Sequence, residues 1–232
     1  MVEKNKIKLS TKKIESRERR LKYVKFSLLV SSFFLIVIYL VLSIVYADGK
    51  FTINLDREFS KKTGMVIYED PDNKQPKLIL KVKEAGLLDN ISIDWLPKDI
   101  NKEANGTHNG SNYIAYTFYV DNMGSDYINY WYRIPIYSII RNVDEAVRVM
   151  IYQNDNRKIY AKIGKDGQPE KNTTPFYSDD VVALEQRIGL EPGQRDKYTI
   201  VVWLEGDDPD CIDSIIGGQL KLNMELNQEF LN

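Results

Sequence analysis

With 232 residues, 28% of them charged and a formal net charge of −1, the chain is balanced overall. Its single histidine and single cysteine exclude a histidine-based zinc site and an internal disulfide. The balance hides a split: residues 1–25 carry ten Lys and Arg against three Glu, a net of +7, so residues 26–232 carry −8, which disfavours nucleic acid as a partner of the larger part.

Residues 1–25 read as a basic, partly helical arm, with Ser10 or Thr11 as its cap and Glu15 with Arg19 and Glu18 with Lys22 at helical pairing distance. Residues 26–47 follow as an uncharged, mostly apolar run. As a helix the run is about 33 Å long, enough to cross a hydrocarbon core of about 30 Å. Basic residues beside a span stay cytoplasmic, so the sequence predicts a single-pass protein of the cell membrane with its N-terminus inside and residues 48–232 outside. The polybasic flank also has the chemistry to touch anionic lipid headgroups. Val45-Tyr46-Ala47 fits a signal-peptidase site, which leaves cleavage after Ala47 open, although the run exceeds the ~7–15 residues of a signal core. Sequons stand at Asn90, Asn105, Asn109 and Asn172 and matter only in a eukaryotic secretory pathway.

Beyond the run the apolar period becomes two. Strands are predicted over residues 51–56, 65–69, 78–82, 113–121, 128–136, 147–152, 158–163, 197–204 and 220–226. In the last, Leu220, Leu222, Met224 and Leu226 point one way and Lys221, Asn223 and Glu225 the other. Turn signals at Asn154-Asp155-Asn156, Asp166-Gly167, Pro192-Gly193 and Gly217-Gly218 punctuate these runs. Residues 180–188 read as a short helix, and residues 97–112 as a long, mobile polar loop. The fold class expected is all-β, an antiparallel β-sandwich ectodomain after one transmembrane helix. About 180 residues suffice for its core without staples.

Few residues offer chemistry. His108 lies in an Asn/Gly-rich loop and reads as a solvated side chain, and Cys211 as a structural thiol whose acidic neighbours weaken it as a nucleophile. No catalytic residue is singled out. The segment EGDDPDCID, Glu205–Asp213, offers Asp207, Asp208 and Asp210 as calcium candidates, against the alternative of an ordinary Asp-rich turn. Aromatics concentrate at Tyr113, Tyr116, Tyr119, Tyr127, Tyr130, Trp131, Tyr132 and Tyr137. Tyr130, Trp131 and Tyr132 are the interaction candidates, for sugar faces or a partner protein, although Trp131 must point away from the two tyrosines.

The segment YTIVVWLEGDDPDCIDSIIGGQLKLNMEL, Tyr198–Leu226, resembles the C-terminal strand, acidic loop and final strand of SipW-dependent-type exported proteins of Firmicutes, relatives in style of the TasA and camelysin biofilm-fibre proteins. YTFYVDNMGSDYINYWYRIPI, Tyr116–Ile136, is similar to their strand, Asn-x-Gly turn and strand, with Asn122 and Gly124 at the turn. The resemblance implies a jelly-roll-like or immunoglobulin-like sandwich outside a Gram-positive membrane, serving protein interaction or matrix assembly. The long basic arm departs from the family's shorter cleavable signal, and the absence of a zinc motif bars carry-over of camelysin's claimed proteolysis. Three readings follow: a non-enzymatic surface protein engaging other surface or matrix proteins, a calcium- or glycan-binding module, and a carboxylate-based hydrolase. If the run were cleaved, residues 51–56 would form a free strand able to extend a neighbour's sheet.

Overall fold

The computed structural model describes residues 2–47, 51–83 and 85–230, and within the first helix the side chains of residues 19–41. The chain divides into two compact units, Met1–Gly49 and Lys50–Asn232. The first is a single helix, α1 (Val2–Ala47). No Gly or Pro interrupts it, so it runs through Ser10 and Thr11, and neither is a cap. Within it Arg19–Val41 is long and apolar enough to cross a membrane, a property shared with signal sequences, and none of this stretch is buried by the protein.

The second unit is a sandwich of two sheets, built from β1 (Thr52–Leu55), β2 (Met65–Tyr68), β3 (Ile79–Lys81), β4 (Gly106–Thr107), β5 (Tyr113–Asn122), β6 (Ile128–Ile140), β7 (Val147–Gln153), β8 (Asn156–Ala161), β9 (Thr174–Pro175), β10 (Val181–Leu190), β11 (Arg195–Leu204) and β12 (Gln219–Asn227). The five-stranded sheet is ordered β10-β6-β12-β1-β3, and the seven-stranded sheet β2-β5-β11-β7-β8-β9 with β4 on β5. The sheets are mixed rather than purely antiparallel: β1 runs parallel to β12, and β8 to β9. Hydrophobic burial sets the inward faces, with Ile53, Leu80, Tyr130, Ile134 and Met224 meeting Phe118, Val120, Val149, Tyr198 and Ile200.

Three expectations are corrected. Residues 180–188 are not a helix. Ala, Leu, Glu, Gln and Arg favour helix locally, but pairing with β6 buries Val182, Ala183 and Leu190, and the tertiary gain overrides propensity. Nor is β1 a free strand. It is hydrogen-bonded on both sides, to β12 and β3, with Ile53 and Leu55 in the core. Between β1 and β2 lies α2 (Arg57–Thr63), which the alternation obscured; Asp56 caps it by accepting from Phe59 N at 2.7 Å, and Gly64 closes it at φ 76°.

The third correction concerns residues 97–112, which are held down rather than free. Ile91, Leu96 and Ile100 pack on the outer face of the seven-stranded sheet against Ala115, Met150, Tyr152, Ile159, Val201 and Trp203. Hydrogen bonds fasten this segment: Ile91 N donates to Leu204 O (2.9 Å), Tyr119 OH to Asn105 Oδ1 (2.6 Å), and Ala115 N to Asn109 Oδ1 (3.0 Å). His108 belongs to it too, its ring nitrogens 3.0 and 3.1 Å from the Gly106 and Ile100 carbonyl oxygens, rather than being solvated. Strands covered on both faces become continuously apolar, which accounts for YTIVVWL in β11.

The turn between β5 and β6 depends on contact. Asn122 Oδ1 accepts from Gly124 N at 2.9 Å while its amide donates to the Asp126 and Leu190 carbonyls, and a Cβ on Gly124 would lie 2.0 Å from Thr63 O. Because Ile100 of the covering segment is fully buried against the sheet, Ile100→Ala is expected to cost about 2–5 kcal/mol in denaturant unfolding; a freely mobile loop would cost about 0.5 or less.

Candidate functional site

Arg148 stands at the start of β7, paired with Trp203 of β11 and Ala161 of β8, and is buried there. A cation inside a strand end needs anions, and two loops bring them. Asp208 Oδ2 lies 2.6 Å from Arg148 Nη2, as a close ion pair without an aligned hydrogen bond, and Glu170 Oε2 lies 3.2 Å from the same nitrogen. Asp208 Oδ1 accepts from Asp210 N at 2.7 Å, which folds the Asp-rich loop back on itself. Beside it the buried Glu205 accepts from the Trp203 indole at 3.0 Å and from Ile93 N at 3.2 Å. These groups border a cleft of about 410 Å³ whose wall also includes Asp94, Ile159 and Lys171.

The lining holds five carboxylates, of Asp94, Glu170, Glu205, Asp207 and Asp208, against the cations Arg148 and Lys171. Burial, then the neighbouring Asp208 carboxylate, push the Glu170 carboxyl above its ordinary value of 4.5, and Arg148 pulls it back only in part. The arrangement is an ion-pair clamp that ties both loops to the end of the seven-stranded sheet.

The three calcium candidates do not converge. Asp208 turns inward to Arg148, Asp207 accepts from the Ser92 hydroxyl, and Asp210 accepts from Lys165 N at 3.1 Å. Among the described residues no group of three His, Cys, Asp or Glu is placed to hold a metal ion. The buried guanidinium supplies the counter-charge that a cation would have brought. Cys211 is half-buried; burial raises its thiol, and its Sγ accepts from Asn90 Nδ2 at 3.4 Å.

The interaction candidates divide. Tyr130 and Tyr132 are core residues, 0% and 3% exposed, and present no ring to a ligand. Period two sends their side chains between the sheets and leaves Trp131 on the opposite face, half-buried. Sequence reasoning missed Arg148 and Glu170. A signal for the first was there: a lone arginine inside VRVMIY requires a buried partner, although nothing along the chain identifies which acid it takes.

No family model matches the chain, and no curated protein matches it significantly. Two crystal structures of a β-glucosidase from Kluyveromyces marxianus, one in complex with glucose and one selenomethionine-labelled, align at 14% identity over 69% of this chain, with TM-scores of 0.23 and 0.26. The chain spans 15% and 17% of their lengths, and a likeness at that level carries no argument about fold or activity.

A carboxyl whose folded pKa is raised binds its proton more tightly in the fold, so it subtracts stability as pH rises past the unfolded value. Glu170→Gln is therefore expected to hold or raise the thermal midpoint at pH 7, with the advantage shrinking as pH falls towards 4.5. Arg148→Met, which strands the buried Asp208, is expected to lower stability by about 3–5 kcal/mol in the same melts.

Proposed function

We propose that the protein is a single-pass, membrane-anchored bacterial surface protein whose β-sandwich, held outside the cell, serves protein interaction or matrix assembly. The observation that carries this reading is the stretch Arg19–Val41, long and apolar enough to cross a bilayer. The charge split supports the orientation, since the +7 of residues 1–25 lies on the N-terminal side of the uncharged run 26–47 and the −8 remainder begins with that run. The paired position of β1 favours a tethered domain over a fibre built by donating that strand, because removing Ile53 and Leu55 would open the sandwich's own core. The resemblance of Tyr198–Leu226 to exported matrix proteins of Firmicutes supports the setting.

Orientation is tested with single cysteines in a Cys211→Ser background. A membrane-impermeant maleimide added to intact cells is expected to label a cysteine at the exposed Leu87 and not one at Lys8, with the protein remaining in the membrane fraction after alkaline extraction. Labelling at Lys8 alone, or release of the full chain by alkali, would refute the reading.

A further inference from the structure

The parallel pairing of the first strand with the last decides which end of the sandwich receives the chain from residues 26–47. Thr52 stands beside Asn223 and Leu55 beside Leu226, so the chain enters β1 at the end where β12 begins. β6 finishes at that end too, with Ile140 beside Gln219 and Ile139 beside Leu220. Residues 219–222 therefore carry β12 past the level of Thr52, by about 14 Å for four extended residues. Phe51 is already fixed in the core, and Val82 N donates to its carbonyl at 2.9 Å. From Ala47, the last residue of the apolar run, to Phe51 is four Cα steps, at most about 14 Å of chain. The tether is thus no longer than the overhang of the β6–β12 end.

That end is apolar at its tip. Ile139, Ile140, Ile212 and Ile216 are all exposed, Ile216 most of all at 66%. They sit on connections that touch one another: Arg141 Nη1 donates to Ile216 O at 2.9 Å, Ile215 N to Ile212 O at 3.0 Å, and a Cβ on Gly218 would lie 2.9 Å from Ile140 O. Residues 138–141 and 214–220 include one charged side chain, Arg141. Asp213 is the acid next to them, and the acids further back in its loop are engaged elsewhere, Asp207 by Ser92, Asp208 by Arg148 and Asp210 by Lys165 N. Isoleucines left in water on a projecting tip mark a surface that something apolar covers.

We propose that this tip is a second membrane contact, in which Ile139, Ile140, Ile212 and Ile216 enter the headgroup region of the bilayer crossed by residues 26–47. The Arg141 guanidinium, with donors left over from its bond to Ile216 O, meets lipid phosphates there. The short tether selects the occupant: with the apolar run in the membrane, covalent connection alone brings lipid to this end of the sandwich, at a local concentration no free partner matches. Apolar area drives the insertion, so zwitterionic lipid suffices and Asp213 stays in water. Resting on the anchored reading above, this contact gives the sandwich a second foothold on the same membrane.

The test uses the full chain in phosphatidylcholine vesicles, with single cysteines in a Cys211→Ser background carrying a polarity-sensitive fluorophore. Ile216→Cys and Ile212→Cys are expected to emit to the blue of the free dye and to lose that emission when the vesicles include phosphatidylcholine with a nitroxide high on its acyl chain. Met123→Cys, exposed in the turn at the other end of β6, is expected to keep a water-like, unquenched emission. Circular dichroism confirms each fold. If both tip labels behaved like the Met123→Cys label in protein that resists alkaline extraction, the tip contact would fall and the anchor would stand; release of the chain by alkali would overturn both. A blue shift without quenching would assign the tip to a second copy of the chain, and quenching at Met123→Cys as strong as at the tip would show no preferred end, and either result would overturn the proposal.

Discussion

The sandwich is bolted through a buried carboxylate. Asp196 of β11, fully inaccessible, receives the Tyr130 hydroxyl of β6 at 3.0 Å, Arg187 Nε of β10 at 2.8 Å and the Asn154 amide at 2.9 Å. Tyr198 joins the set through its hydroxyl, 2.8 Å from that of Tyr130. A charge taken out of water is tolerated only with such a complement, and each donor comes from a different element, so the two sheets are held in one register. Burial and the adjacent acid push both phenols well upward, which keeps them neutral donors. Once Tyr130 is committed inward, Trp131 must face outward; the bolt determines which aromatic ring is available at the surface.

The ends of the sandwich repeat the same logic with ion pairs. Arg148 binds Asp208 and Glu170, Lys162 binds the buried Asp144 at 2.6 Å, and Lys165 bridges Glu145 and Asp210. Near β2, Asp121 takes Arg195 at 2.9 Å and Lys74 at 2.7 Å, and those bonds hold its carboxyl below the usual range despite burial. The acid-rich sequence thus spends much of its charge on fastening loops, which is why an acidic run that reads as a cation site serves as a latch.

Legibility in the sequence followed the range of the forces involved. β12 was legible because alternation with a wet face is a local pattern, and Leu222, Met224 and Leu226 do line the core. The helix read into residues 180–188 failed because its local propensity was opposed by a partner strand more than forty residues away. Residues 97–112 looked unstructured for the same reason: Ile100 is an isolated apolar residue along the chain and acquires meaning only under Met150, Val201 and Trp203. The acidic loop was legible as an Asp-rich turn that also offered calcium candidates, but its tie to Arg148 was not, because Arg148 lies 60 positions from Asp208 and pairs with it only through the β7–β11 alignment.

By itself the sequence determined an apolar N-terminal helix of membrane-crossing length, the charge split on either side of it, and an all-β remainder, since hydropathy, charge and a period of two are properties of neighbouring residues. Only the tertiary structure decided that the first strand lies parallel to the last, that one sheet is clad and the other open, that Tyr130 and Tyr132 are core while Trp131 is half-buried on the opposite face, and that Asp208 pairs with Arg148. These are matters of which distant groups share a buried space, and desolvation decides them only after the chain has closed.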